Sequence, residues 1–517
     1  MVRMDPEDIS LRRSGRAALT PRDPQALAGE DHDLIVVGAG VLGIMVALEA
    51  VRRGLRPLVI ERGDFGAATS YNSLRIIHGG IRYLQSLDLP RFRESVAERR
   101  WFLRHFPDLV HPLPCLMPLY GEGIRRPAVL RIALAANRAL SLDANLSIRP
   151  DRALPPNRVL DPGAARVLFP GIDTRGLRGA ALWHDAFVPD APRLMVEALR
   201  WACARGARVL NYMEARRPVL SRNRLVGMTA ADLIGKMEVV FRAPIVINAT
   251  GPWAPFVAQA CGIRSDDLFH PLLAWNVAFD RPPPASCAIA VKPRGPRAQT
   301  YFLVPWKGIL LAGTGYAPWN AGPEAPHVAR ALLRQFIADL NDAVPGLDLA
   351  QAEVARVFAG ILPAERAGSV TPATRDVIRD HGAREGPAGL FSLSGVKLTT
   401  GRHVADKALR SAVPAARPVP YRKFPRPAAP EPAPDRRFDW MPQAGDADWL
   451  APLRQSVAEE GVEHLDDLLL RRSCLGDNIS RALALAPQVA QLFDWDQERQ
   501  DQEIKKLRLI ASKDRFS

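Results

Sequence analysis

No run of about 18 apolar residues occurs anywhere in this 517-residue sequence, so an ordinary membrane-spanning helix is excluded while surface attachment stays open. Cysteine is scarce: Cys115, Cys203, Cys261, Cys287 and Cys474 lie far apart, without a CxxC redox pair or zinc-ligand spacing. No metal site is expected, and a reducing compartment is the simplest reading. No apolar segment follows Arg12 and Arg13, so neither a secretory nor a twin-arginine signal is expected, and the protein is assigned to the cytoplasm. Internal repeats are absent, and so is any nucleic-acid-module signature. Acidic residues are the minority charge: 69 Lys and Arg face 55 Asp and Glu, a net +14. Such a field favours an anionic lipid or substrate; with Arg scattered rather than clustered, nucleic acid is not expected as a partner.

What is present is ordinary globular composition, 47% hydrophobic and 24% charged, in a chain long enough for roughly three to four domains. Residues 1–30 are polar, basic and without apolar periodicity, and are expected to form a disordered tail. From Asp31 onward, strand, Gly turn, helix and strand alternate in the α/β manner. Residues 31–110, with 180–265 and 365–412, are assigned to one discontinuous nucleotide-binding domain. Short apolar runs broken by Pro and Gly, such as LLAWNVAFD and TYFLVPWKGILLAGTGY, suit an antiparallel sheet, so 111–179 with 266–364 are assigned to a substrate-facing cap. The Pro-rich segment 413–437 is expected to be an extended linker, and 438–517 an all-helical C-terminal domain.

The densest chemical signal is DLIVVGAGVLG, which sets Gly38, Gly40 and Gly43 between a buried apolar strand and the helix that follows. The first Gly permits the tight turn, the second lets the backbone approach a pyrophosphate, and the third allows close helix-to-strand packing. The diphosphate then meets the free N–H groups of a helix N-terminus. Eighteen residues past Gly43, the strand RPLVIERGD ends near Glu61, whose carboxylate suits the ribose hydroxyls of an adenosine. These features leave FAD and NAD undecided.

Several further stretches resemble the FAD-dependent glycerol-3-phosphate dehydrogenases: TSYNSLRIIHGGIRYL, RESVAERRWFLRHFPDLVHPLP, AALWHDAFVPDAPRL, VINATGPWA, YFLVPWKGILLAGTG, SGVKLTTGRHVADKA and DDLLLRRSCLG. The resemblance covers nearly all of 31–507. It implies FAD as cofactor, a Rossmann-like domain of the glutathione-reductase/DAO type, an antiparallel-sheet substrate domain and a helical C-terminal domain. It places Thr69, Ser70 and Ser73 along the FAD pyrophosphate, and brings His78, Gly79 and Gly80 under the flavin ring. Gly251 is placed beside the ribityl chain, and Gly395, Lys397, Leu398, Thr399 and Thr400 at the flavin pyrimidine edge. Arg82, Tyr83 and Arg375 match the pocket that holds an anionic alcohol.

Departures from the family pattern bear on the substrate. Gly-Val-Arg-Pro-Leu is here Ala359 to Pro363, so Leu362 stands where a phosphate-binding Arg is expected. Lys-Gly-Ser-His is here Leu273, Ala274, Trp275 and Asn276, and Gly-Thr-Thr-Asp is Gly313, Thr314, Gly315 and Tyr316. Each lost charge-assisted partner of a desolvated phosphate costs roughly 1.5 to 3 kcal/mol. The expectation is hydride transfer from a CH–OH group of a polyol phosphate or related alcohol other than glycerol 3-phosphate, with Trp275 and Leu362 offering apolar surface. Asn276 is a poor proton acceptor, which leaves His78, His270, Tyr83 or water as the base.

Two other functions are open at this stage: an amine or amino-acid oxidase of the same superfamily, and a catalytically decayed flavoprotein acting as a scaffold. Retention of Arg82, Lys397 and Arg375 favours altered specificity over decay. Residues 124–146 place Arg131 and Arg138 on one face of an amphipathic helix suited to an anionic membrane surface. Family members attach peripherally to membranes and pass electrons to quinone, so quinone or another acceptor is the expected electron sink. A homodimer is left open.

Overall fold

The computed structural model describes residues 18–121, 126–264, 267–294, 299–384, 386–395, 397–428, 437–443 and 448–514. Its first layer is a six-stranded sheet of Leu34–Val37 (β1), Pro57–Ile60 (β2), Arg208–Leu210 (β3), Val246–Asn248 (β4), Val377–Asp380 (β5) and Leu390–Ser394 (β6). The strands run in the order β5-β6-β4-β1-β2-β3, parallel except at β5. Strands β1 and β2 are buried along their whole length, as continuous apolar runs in a two-sided parallel sheet must be. Helices Val41–Val51, Ala191–Cys203 and Gly401–Ala412 share one apolar core on this sheet.

The second layer is a larger, mostly antiparallel sheet in which Pro271–Phe279 pairs with both Ile309–Pro318 and Val354–Pro363. One parallel pair, between Ala288–Val291 and His111–Leu119, interrupts the antiparallel pattern. Strand Gly179–Phe187 belongs here and not with the nucleotide-binding sheet to which residues from 180 onward were assigned. It pairs antiparallel with His111–Leu119 along nine residue pairs, from His111 with Phe187 to Leu119 with Gly179. Its full burial resembles that of a central parallel strand, and an apolar run carries no label for its sheet.

Two segments expected to be loose are packed. Residues 18–30 are not a disordered tail: Asp23 caps helix Pro24–Ala28, Leu19 and Leu27 are buried, and Arg22 pairs with Asp232. Residues 1–17 lie outside the described residues. The described part of the Pro-rich segment is a strap rather than a free linker, since Phe424 and Tyr421 join Trp101, Trp201 and Phe106 in one aromatic cluster. Apolar anchors at intervals are enough to seat a Pro-rich chain on a preformed surface, because its conformational entropy is already low.

The C-terminal helices Ala451–Glu459, Ile479–Ala490 and Gln497–Asp514 enclose their own core. This module is tied to the first sheet by buried ion pairs, in which Arg472 meets both oxygens of Asp64 at 2.7 and 2.9 Å and Arg471 reaches the same carboxylate. Asp64 lies three residues after Glu61, so the C-terminal module braces the loop that leaves the nucleotide groove.

Candidate active site

Gly38 has φ +97°, a left-handed conformation, and its N–H donates to Ile60 at 2.8 Å. A Cβ at Gly43 would lie 1.8 Å from the Gly38 carbonyl oxygen, so the helix packs against the turn at a distance only Gly allows. Glu61 Oε2 accepts from the Ala39 N–H at 2.7 Å and Oε1 from the Gly63 N–H at 2.8 Å. Burial pushes its carboxyl above the ordinary range against the pull of these two N–H donors. Each oxygen keeps a further lone pair for a ribose hydroxyl.

From this turn a single cavity of about 2180 Å³ runs to the face of the second sheet. Small-molecule pockets commonly measure about 300–1,000 Å³, so there is room for a dinucleotide and a substrate together. The lining fits FAD. Gly38 and Gly40 line it with bare backbone, and the Ser73 Oγ is buried with no hydrogen-bond partner among the described residues. Ser70 Oγ accepts from the Val41 N–H at 2.9 Å, while Thr69 exchanges hydrogen bonds with Ile361 and so joins the loop to the second sheet. Gly251 (φ +57°), Gly395, Lys397, Leu398 and Thr399 line the same cavity, whereas Thr400 sits behind them as the residue before helix Gly401–Ala412.

At the far end, the polar groups centre on His78. Its Nδ1 lies 3.0 Å from Asp185, and its half-exposed ring lines the cavity 5.4 Å from that of Phe302. Asp185 also accepts from the Gly79 N–H at 2.7 Å, Trp183 Nε1 at 3.2 Å and Arg99 at 3.3 Å. Burial alone would raise the Asp185 carboxyl, but its bond to His78, the His78 and Arg99 charges and the Gly79 N–H hold it at about 2. It is therefore a fixed negative charge behind the imidazole at neutral pH. Lys397 donates to the Tyr83 hydroxyl, with its ammonium 4.4 Å from the Tyr83 ring centroid. Arg82 and Arg91 flank the same ring at 6.0 and 5.8 Å, and both line the cavity.

Several expected assignments change on contact with this geometry. Arg375 is exposed and does not line the cavity, and His270 lies outside it as well, which leaves His78 and Tyr83 as the lining candidates for a base. Trp275 does not offer a stacking surface: strand alternation points Ala274 and Asn276 into the cavity and Trp275 into the opposite core, against Phe336. Leu362 does face the cavity. Asn276 is structural in its contacts, donating to the Asn72 carbonyl at 2.8 Å and accepting from Thr314 at 2.9 Å. Gly79 is small because of Arg99, whose Nη1 would lie 2.0 Å from a Cβ there; the space on that side is filled by protein.

Asp185, Arg99 and Arg91 were missed as site residues. The one sequence signal for Asp185 was a charged residue, beside His184, inside the mostly apolar run ALWHDAF, since a buried carboxylate requires partners.

The chain matches the family described as FAD dependent oxidoreductase over residues 33–406. It is 30% identical over 394 residues to a glycerol-3-phosphate dehydrogenase of Synechocystis, covering 73% of this chain and 69% of that protein. Identity to glycerol-3-phosphate dehydrogenase 1 of Mycobacterium tuberculosis is also 30%, over 415 residues, covering 79% and 77%. In fold, the chain is similar to the glycerol-3-phosphate dehydrogenase from Bacillus halodurans complexed with FAD, with a TM-score of 0.70 at 19% identity over 95% of this chain and 97% of the other.

Proposed function

From the premise that this chain belongs to the FAD dependent oxidoreductase family, as an FAD-binding oxidoreductase of the glycerol-3-phosphate dehydrogenase type, we propose that it oxidises a polyol phosphate or related anionic alcohol other than glycerol 3-phosphate. The observation that carries this reading is the placement of charge at the far end of the cavity. Lys397 and Arg82, neither in a salt bridge among the described residues, line this cavity together with the apolar Leu362.

FAD, when bound, supplies the acceptor for a hydride from the substrate C–H. With Nδ1–H donated to Asp185, His78 keeps Nε2 free to accept the hydroxyl proton, and the fixed Asp185 charge stabilises the imidazolium that results. Lys397 and Arg82 hold the anionic group by charge-assisted bonds. Phe302, itself edge to face with Trp183, sets an aromatic ring 5.4 Å from the imidazole. Reoxidation by quinone or another acceptor completes the cycle.

Anaerobic mixing of the yellow holoprotein with polyol phosphates, sugar phosphates, hydroxy acids and amines tests this assignment. Bleaching by an anionic alcohol and negligible bleaching by glycerol 3-phosphate is the expected pattern. Rapid bleaching by glycerol 3-phosphate overturns the altered specificity, bleaching by amines alone identifies an amine oxidase, and no bleaching at all favours the scaffold reading.

Attachment to an anionic membrane is part of the same proposal. In helix Pro127–Leu140, Leu130, Leu134 and Asn137 face inward, whereas Ile132 is 72% exposed and is followed by Leu142 at 83% and Leu146 at 62%. Arg131 and Arg138 are exposed beside them; Ile124 and Arg125 lie outside the described residues. No helix among the described residues is long and apolar enough to cross a membrane. The protein is expected to float with vesicles containing anionic lipid and to lose most of that binding as Ile132→Glu with Leu142→Glu; failure of the unaltered protein to float removes the attachment.

A further inference from the structure

Glu324 belongs to the second domain, in the segment between strand Ile309–Pro318 and helix Arg330–Ala343, yet its carboxylate is held by the first. Arg62 Nη2 donates to both of its oxygens at 2.8 Å, and Trp253 Nε1 donates to Oε1 at 2.8 Å. The Arg62 guanidinium also lies 5.3 Å from the Trp253 ring centroid, so the three side chains form one cluster.

Sheet order gives this cluster its meaning. Strands β2 and β4 flank β1 on either side, and the Gly38–Val41 turn leaves the end of β1. Arg62 follows the end of β2 and Trp253 follows the end of β4. One carboxylate from the other domain therefore joins the two lips of the nucleotide groove across the turn where a diphosphate would be held. Gly322, Glu324 and His327 line the same cavity as Gly38, Glu61 and Gly251.

The segment is braced within itself. Trp319 Nε1 donates to the Gly322 carbonyl at 2.9 Å, and the Trp319 and His327 rings meet edge to face at 5.5 Å. Burial alone would raise the Glu324 carboxyl, but the bonds from Trp253 and Arg62 hold it below the ordinary carboxylate range, so it is ionised at neutral pH.

We propose that the 319–328 segment is a clasp over FAD, closed by Glu324 on Arg62 and Trp253, which must open before the cofactor leaves or enters. The clasp sets how long FAD stays. It rests on FAD as the cofactor and not on the identity of the substrate, so its test stands apart from the substrate assignment.

The experiment follows FAD release from the holoprotein, with no substrate present, as reconstitution of an excess apo-flavoprotein trap, read by the trap's own activity. Glu324→Ala is expected to release FAD about three- to tenfold faster, the range for loss of an exposed ion pair and its added N–H donor. Trp253→Phe keeps an aromatic ring, loses the N–H, and is expected to fall between the unaltered protein and Glu324→Ala. Because the ion pair is exposed, rising salt should speed release from the unaltered protein more than from Glu324→Ala. Glu238→Ala, which removes an exposed carboxylate paired with Arg217 on the outer three-stranded sheet, serves as the control and should not alter release. Release within twofold of the unaltered protein in both Glu324→Ala and Trp253→Phe overturns the clasp, as does equal acceleration by Glu238→Ala.

Discussion

Replacing His78 by Ala is expected to slow anaerobic flavin reduction by roughly 10²- to 10⁴-fold, the usual span for loss of a positioned general base, while the purified protein stays yellow. The fold should survive because Asp185 does not depend on His78 alone. After the substitution it still accepts from the Gly79 N–H, Trp183 Nε1 and Arg99. The buried charge therefore keeps partners, and the large penalty for an orphaned carboxylate is avoided. The His78 ring itself is half-exposed in the cavity wall, so its removal leaves space open to the cavity rather than a void in the core. The measurement is stopped-flow bleaching with whichever substrate the panel identifies. If His78→Ala bleaches as fast as the unaltered protein, the proton goes elsewhere, and Tyr83 becomes the residue to test.

Substitution of Gly43 by Ala is expected to yield a protein almost free of flavin, with FAD affinity lowered about 10²-fold or more. Overpacking a tight contact commonly costs about 1–3 kcal/mol, and here the displaced turn also loses its alignment on the diphosphate. The added Cβ meets the Gly38 carbonyl oxygen at 1.8 Å and the Gly38 carbonyl carbon at 3.0 Å. Both atoms are backbone, so no flexible side chain can yield. Gly38 is itself pinned by its left-handed φ and its bond to Ile60. Gly251→Ala is the milder comparison, because its φ of +57° carries strain but nothing lies within 4 Å of the new Cβ. The flavin-to-protein absorbance ratio of the purified variants decides the point: full occupancy in Gly43→Ala would show that the turn yields without cost.

The parts of this protein legible in its sequence are those whose determinants are neighbours along the chain. Gly38, Gly40 and Gly43 share one turn with Glu61 at the end of the adjoining strand, and all of them interact within a single strand-helix-strand unit. Helical spacing in the C-terminal module is similarly local. The His78–Asp185 pair spans 107 residues and depends on two strands of the second sheet meeting in register, with Ile77 opposite Ala186. The clasp at Glu324 is more remote still, since its ion pair to Arg62 joins residues 262 apart.

Face and direction were the other losses. Trp275 and Asn276 are adjacent, and the resemblance treats both as pocket residues, but consecutive side chains on a strand point to opposite faces and only Asn276 reaches the cavity. Gly79 shows the converse case, a small residue beside a site that is small for the sake of a core Arg.

By itself, then, the sequence determined a dinucleotide turn with its acidic partner, a helical C-terminal module and, through resemblance, the flavin class, because each rests on local backbone geometry or on contiguous motifs. Only the tertiary structure decided that His78, rather than His270, faces the cavity with a carboxylate behind it, that Arg375 stays in solvent, and that a loop of the second domain closes over the groove. Those outcomes depend on strand register and on the docking of two domains, and no local stretch of residues encodes the position of a partner more than a hundred residues away.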